Sequence, residues 1–430
     1  MQNPFLVRPS VFKYFRSLIV LSLGILFLFE PQAIAEPLAI EMETATQWLD
    51  QNLDSSSVAT LPFSFNYGGD SSTKLLPLWR VEQKTRAVDS QREERTLVLT
   101  DPRTGLVVRC VATIYRDFPA VEWTLYFKNT GAMDTPILSD IQALHSGLGT
   151  AADVRNYTLY YSEGSHAKIT DFQPLEKLIG SDDLITLSSF GGRSSDGTLP
   201  FFNLANPTDG GVVIALGWTG QWATSFSRTG NDPMKVQAGM ENTHFKLHPG
   251  EEVRSPAILL MHWKGADRRR GQNLFRELLL RHYTPTADGK PVDPPVALSP
   301  HAVIGFEKTS EKNQLEGIRN VAAHKLAVDY WWIDAGWYAC DGNWAKYVGN
   351  FEPDPVRFPN GLKPISDAAH QAGEKFLLWL EPERVMPDTW LYKNHPEWLL
   401  KPSAEMPESL KYQINDGFHL LDLGNPEALA

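Results

Sequence analysis

Two short apolar runs, Val328 to Asp334 and Phe376 to Leu380, flank a segment with helical periodicity, Pro364 to Ala372. Neighbouring strands joined through a helix can close their hydrogen bonds only as a parallel sheet, open or closed. No other feature of the chain limits its fold as strongly. The same rhythm extends outward. Ala302 to Phe306 reads as a short strand, and Ser310 can cap a helix from Glu311 to Lys325, where Leu315, Ile318 and Val321-Ala322 recur at helical spacing. Pro364 stands in the first turn of the next helix and Gly373 just past its end. Thr389 to Asn394 reads as a short helix closed by Pro396, and Phe418 to Leu423 as one more extended run. Asn425-Pro426-Glu427 is a helix start, with asparagine as the cap and proline at the first helical position.

Upstream the pattern is β-rich, from about Ala39 to Leu260. Thr96 to Thr100, Leu106 to Tyr115 and Val121 to Asn129 alternate apolar and polar residues, separated by the turn segments Asp101-Pro-Arg-Thr-Gly105 and Asp117-Phe-Pro119. Gly210 to Trp218, His244 to Leu247 and Ala257 to Trp263 continue in this style. Many short strands with closely spaced turns predict a sandwich, and no long helical periodicity interrupts them. The earliest helical stretch is Asp267 to His282, with Leu274, Leu278 and Leu279 on one face. It reads as a linker helix, and Pro285, Pro291, Pro294 and Pro295 then mark a boundary.

The bulk numbers exclude several functions. The 430 residues exceed one ordinary domain, and the net charge of −11 argues against a nucleic-acid partner. The two cysteines, Cys110 and Cys340, fall in different predicted domains, which disfavours a disulfide or a cysteine metal site. At the N-terminus, Arg8, Lys13 and Arg16 precede an apolar run from Leu18 to Phe29. Pro31 breaks the run, and Ala33-Ile-Ala35 offers small residues for cleavage. That run is shorter than the roughly 20 residues needed to span a bilayer. The reading is a cleaved export signal, residues 1–35, delivering the mature protein to the periplasm or the exterior without stable membrane insertion.

Seven of the 13 tryptophans lie between Trp331 and Trp398. On a strand Asp334 shares a face with Trp332 and Tyr330, and Trp379, Glu381 and Glu383 share one if the strand continues through Pro382. Carboxylates beside indoles suit a sugar, because carboxylates accept from paired hydroxyls while the apolar face of a pyranose stacks on an aromatic ring. Asp334, Trp379, Trp337 and Glu381 are therefore the candidate substrate-binding residues. The competing readings are a turn residue for Asp334, a core aromatic for Trp379 and a salt bridge to Arg384 for Glu381. Asp334 with Glu381 is also the available pair for glycosidase acid/base or nucleophile chemistry. The chain has no His-Glu-x-x-His, no phosphate-binding Gly-x-x-x-x-Gly-Lys and no Gly-x-Ser-x-Gly elbow. Neither a metal nor a cofactor is indicated.

Six blocks in order carry a resemblance: Trp332-Ile-Asp-Ala-Gly-Trp-Tyr338, Gly349-Asn-Phe-Glu-Pro-Asp354, Arg357-Phe-Pro-Asn-Gly-Leu-Lys363, Phe376 to Val385, His395-Pro-Glu-Trp398 and Leu421-Asp-Leu-Gly-Asn-Pro-Glu427. Together they resemble glycoside hydrolase family 36, the bacterial α-galactosidases and their melibiase-like relatives. Gly217-Trp-Thr-Gly-Gln-Trp222 and Leu247-His-Pro-Gly-Glu251 are similar to that family's N-terminal supersandwich. The resemblance implies a β-sandwich over residues 36–265, a linker over 266–297 and the first part of a (β/α)8 barrel of the TIM type over 298–430. It implies retaining hydrolysis of terminal α-galactosyl groups of oligosaccharides. It matches Asp334 to the first of two adjacent aspartates that hold galactose hydroxyls and Trp379 to a sugar-facing tryptophan.

Ala335 stands where the second aspartate is expected, which loosens the case for galactose. The family's nucleophile and acid/base are expected beyond Ala430, so no catalytic residue is assigned in this chain, and the barrel reads as cut off near its fourth strand. Two alternatives stay open: a non-catalytic secreted carbohydrate-binding remnant, and an α-galactosyl transglycosidase. Self-association into a homo-oligomer is compatible with either.

Overall fold

A computed structural model describes residues 35–149, 156–206, 208–400, 417 and 419–430. Apart from Ala35, the expected export signal lies outside the described residues. The chain divides into two compact units between Thr284 and Pro285.

The first unit is built on two antiparallel sheets, one of seven strands and one of ten. Four consecutive strands, Arg80–Ala87, Arg92–Thr100, Leu106–Tyr115 and Ala120–Asn129, pair as hairpins in the larger sheet. The period of two is visible in Leu106–Tyr115, where Leu106, Val108, Cys110 and Ala112 are buried and the residues between them are partly exposed. These inward side chains meet those of the smaller sheet in a single core. Phe65 from one sheet sits edge-on to Phe127 from the other, with ring centroids 5.2 Å apart. The architecture is a β-sandwich, as the alternation predicts.

Two helices on the sandwich differ from the sequence reading. Ala39–Asn52 is a helix of 14 residues in a stretch read as β-rich. Its buried positions are Glu41, Ala45 and Leu49, one per turn, and the first is a carboxylate that an apolar-periodicity search does not count. Glu41 is wholly buried. It accepts from Arg270 Nε and Nη2 at 2.7 Å each, from the Leu38 amide at 2.7 Å and from the Lys264 amide at 2.8 Å. Arg270 belongs to the second helix, Arg269–His282, read as a linker from the sequence. Leu274 and Leu278 of that helix are fully buried with Phe118, Met261 and Trp263, so the helix packs on the larger sheet. Gly271 permits the approach, because a Cβ there would lie 2.6 Å from the Trp263 indole.

The second unit contains a three-stranded parallel sheet in the order Ala297–Leu298, Tyr330–Ile333, Lys375–Leu378. Helices Glu311–Ala323 and Lys363–Gln371 supply the crossovers, and Ile318, Val321, Ile365 and Ala369 bury the sheet face that carries Trp331 and Ile333. Ser310 caps the first helix, accepting from the Asn313 amide while Asn313 Oδ1 accepts from the Ser310 amide. Trp331 is fixed at its polar end. Its Nε1–H donates to Gln314 Oε1 at 2.9 Å, and Gln314 Nε2 donates to Thr309 Oγ1 at 2.7 Å. Gly317 leaves room for the ring, since a Cβ there would come within 2.7 Å of it.

Three sequence expectations need correction. The first strand is Ala297–Leu298, and the Ala302–Phe306 segment instead contains a helical turn, His301–Ile304, started by Pro300 and ended by Gly305 at φ +85°. A two-residue strand carries no alternation to read. The run expected to end at Leu380 pairs only to Leu378. Of the extended run expected from Phe418, His419–Leu421 does not join the parallel sheet. It pairs antiparallel with Arg384–Val385 and Leu399–Leu400. Among the described residues the parallel sheet stays open, and the unit is a partial (β/α) barrel rather than a closed one.

Arg357 ties the loops at one end of this sheet. Its Nε–H donates to Asp354 Oδ2 at 2.9 Å, Nη1 to the carbonyls of Glu307, Thr309 and Gly336 at 3.1, 3.0 and 2.6 Å, and Nη2 to the Tyr338 carbonyl at 2.5 Å. Gly336 has φ +87°, and a Cβ would sit 2.6 Å from the Phe306 carbonyl oxygen.

Two stability predictions follow from these contacts. Glu41→Ala leaves Arg270 and two backbone N–H groups without their acceptor. It is expected to cost the first unit about 2–4 kcal/mol, below the range for a fully dehydrated pair because Arg270 keeps some water. A lowered denaturant midpoint measures it, and an unchanged midpoint contradicts it. Gly336→Ala should destabilise the second unit by about 1–3 kcal/mol through its positive φ alone, with the Phe306 clash added. Tryptophan fluorescence during unfolding reads that loss.

Candidate functional site

The parallel register decides which side chains meet. Ile333 is paired with Leu378, and the Trp379 amide donates to the Ile333 carbonyl at 2.9 Å. Asp334 and Trp379 are the next residues along their strands, so both leave the sheet at its C-terminal edge, side by side. Leu298 pairs with Trp331 on the other side, and the turn His301–Ile304 follows that strand at the same edge. In parallel α/β folds this is the edge at which ligand-binding residues collect.

Asp334 is largely enclosed. Its Oδ1 accepts from the Ala335 amide at 2.7 Å, and its Oδ2 lies 3.4 Å from His301 Nδ1. His301 also contacts Ser299 Oγ at 3.0 Å through Nδ1 and stacks on Phe306 at 4.9 Å. The sequence reading missed His301. It lies just before the Ala302 to Phe306 segment that was read as a strand, and only the pairing of Leu298 brings it to the carboxylate.

Trp379 is half-buried among aromatic rings. Trp344 meets it edge-on at 5.8 Å, Phe351 at 6.3 Å, and Tyr338 lies nearly parallel at 6.5 Å. Trp337 plays a different part from the other candidates. It is buried at 2% exposure, and its Nε1–H donates to the Trp379 carbonyl at 3.0 Å, so it braces the backbone of Trp379. Trp344 is held by the Tyr338 hydroxyl, which donates to its carbonyl at 3.1 Å, and carries the Arg384 guanidinium over its ring at 5.4 Å.

Glu381 and Glu383 do not extend the face of Trp379, because the strand stops at Leu378 and the chain turns at Pro382. Glu381 instead pairs with Arg384. Burial pushes its carboxyl above the ordinary range, against the opposing pull of Arg384. Cys340 is buried and free, and burial likewise raises its thiol. Among the described residues no group of three His, Cys, Asp or Glu side chains could hold a metal ion. The edge therefore offers carboxylate acceptors, a histidine, an arginine and partly open indole faces, which is chemistry for an uncharged hydroxylated ligand.

Residues 52–248 match the glycosyl hydrolase family 36 N-terminal domain, and residues 271–430 match the melibiase family. The chain is 27% identical over 327 residues to alpha-galactosidase 2 of Pediococcus pentosaceus, covering 74% of this chain and 43% of that protein. It is 25% identical over 347 residues to alpha-galactosidase Mel36A of Lactobacillus acidophilus, covering 78% and 44%. In fold it is similar to the alpha-galactosidase from Lactobacillus brevis, with a TM-score of 0.67 at 19% identity over 86% of this chain and 50% of that one. A variant of AgaA from Geobacillus stearothermophilus in complex with raffinose gives a TM-score of 0.66 at 19% identity over 86% and 51%. The chain thus spans about half the length of the relatives it matches. With the glycosyl hydrolase family 36 N-terminal domain and the melibiase model matched in order, and a sandwich followed by a parallel α/β unit in the structure, the chain is homologous to the α-galactosidases of the glycoside hydrolase family 36 and melibiase group.

Proposed function

We propose that the C-terminal edge of the parallel sheet holds the terminal sugar of an α-galactoside, and that the protein serves retaining hydrolysis of terminal α-galactosyl groups in oligosaccharides. The observation that carries the reading is the Ile333–Leu378 register, which sets a carboxylate and a partly open indole next to each other at one sheet edge. That homology and the relatives named alpha-galactosidase support the substrate class. In this reading Asp334 accepts hydrogen bonds from sugar hydroxyls, Trp379 stacks on the sugar's apolar face, Trp337 braces Trp379, and Glu381 with Arg384 forms a polar rim. Ala335 is buried at 3% exposure and contributes no acceptor, so Asp334 works without an acidic neighbour. The expected export signal over residues 1–35 supports work in the periplasm or the exterior; no helix among the described residues is long and apolar enough to cross a membrane.

One observation favours sugar holding over bond cleavage for these carboxylates. Asp334 lies against His301 and Glu381 is paired to Arg384, so each is engaged by its own cationic or hydrogen-bonding neighbour. A carbohydrate-binding role without turnover is the second reading.

Calorimetric titration of the protein with raffinose tests the binding assignment. Trp379→Ala should weaken binding by about tenfold or more, equivalent to at least about 1.4 kcal/mol. Equal affinity in the variant would sink the assignment. Ala335→Asp is expected to tighten galactose binding if the missing acceptor is what limits it. Release of aryl alcohol from an aryl α-galactoside would select the hydrolase reading.

A further inference from the structure

The first unit has a half-open pocket of about 250 Å3 between the helix Ala39–Asn52 and the ends of three strands of the larger sheet, Phe201–Ala205, Gly211–Gly217 and Ala257–Trp263. Trp48 and His262 both line it. Trp48 Nε1 and His262 Nε2 are buried, and neither has a hydrogen-bond partner among the described residues. This departs from the habit of the unit. The indoles of Trp123, Trp222 and Trp263 donate to the Ala143 carbonyl, the Ser194 carbonyl and Asn203 Oδ1, at 2.8, 2.8 and 2.9 Å. Buried polar groups are costly to leave unpaired, and two of them on one cavity call for an occupant that pairs with both.

The lining limits what the occupant can be. An apolar molecule would leave both nitrogens unsatisfied. Burial, with Lys264 nearby, pushes the His262 imidazolium down to about 4, so the ring is neutral at physiological pH and offers one donor and one acceptor. At the mouth Lys264 and Asp209 lie 4.0 Å apart, and their opposite charges give neither sign of ligand an advantage. Gln47 and Gln51, four residues apart on the helix, add two amides that can both donate and accept. Trp48 is fixed by stacking on Trp123 at 5.5 Å, so its N–H is pre-positioned rather than recruited. The volume is below the roughly 300–1,000 Å3 of drug-sized sites, which suits one sugar ring rather than a chain of them.

We infer that this cavity binds a neutral polyhydroxylated molecule of monosaccharide size, such as a hexose or a cyclic polyol, through hydrogen bonds to Trp48 Nε1 and His262 Nε2. It is a second ligand site, made of residues of the sandwich alone. Its occupant requires no cation and no covalent step.

The test uses the 430-residue chain carrying Trp379→Ala, so that binding at the sheet edge of the second unit is suppressed and the two sites are read separately. D-galactose, D-glucose and myo-inositol are titrated by saturation-transfer NMR and by tryptophan fluorescence. Saturable millimolar binding of at least one of them is expected. Adding Trp48→Phe, which keeps an aromatic ring beside Trp123 and removes the N–H together with the rest of the pyrrole ring, should weaken that binding about tenfold. Gln47→Ala, at an exposed helical position, gives a smaller loss in a variant that does not disturb the core. Absence of saturable binding by all three compounds would mean that water alone fills the cavity and would overturn the inference. Binding that is indifferent to both Trp48→Phe and Gln47→Ala would do the same.

Discussion

The parallel hydrogen-bond register between Tyr330–Ile333 and Lys375–Leu378 is the constraint on which the second unit depends. A slip of one residue would turn Trp331 and Ile333 from the helix-covered face to the other, and would carry Asp334 away from Trp379. The register is held from the buried side. Trp331 fills the space left by Gly317 and reaches Gln314, which in turn reaches Thr309. From the loop side, Arg357 gathers the carbonyls of Glu307, Thr309, Gly336 and Tyr338 on one guanidinium. A planar cation with five donors can satisfy several unpaired loop carbonyls at once, which a lysine at the same place could not. The frame of the candidate site is therefore tied by contacts within the protein itself.

The sandwich solves a different problem. Its core is apolar and continuous, yet the helix Ala39–Asn52 is fastened to it by a buried carboxylate. Glu41 survives burial because both of its oxygens are occupied, by the Arg270 fork and by two backbone amides. A paired buried charge of this kind contributes little net stability compared with apolar packing, but it fixes orientation, since only one placement satisfies every donor. That placement sets Trp48 and His262 on the wall of the same cavity. The electrostatic fastening and the cavity are thus two results of one helix position.

Much of the frame was legible beforehand. The alternation of Leu106 to Tyr115 and the capped helix after Ser310 appear in the structure where the residue pattern puts them, because each depends on local periodicity and local capping. The errors fell where local pattern carries no signal. Ala297–Leu298 is too short to alternate, His419–Leu421 turned into an antiparallel excursion, and Ala39–Asn52 buries a glutamate where a periodicity search expects an apolar residue. Of the candidate site residues, Asp334 and Trp379 were visible as polar and aromatic endings of apolar runs. His301 was not, since its nearness to Asp334 is produced by strand pairing across more than thirty positions of sequence.

By itself the sequence determined the family resemblance, the change from antiparallel sandwich to parallel α/β, and the residue types at the ends of the strands. These are properties of composition, periodicity and motif order, which exist in the unfolded chain. Only the tertiary structure decided which of those residues face one another: that Trp337 supports Trp379 from inside, that Glu381 turns back to Arg384, and that Trp48 and His262 share a cavity. Each of these pairings is fixed by packing between elements distant in the chain, where side-chain burial and hydrogen-bond satisfaction must be met together.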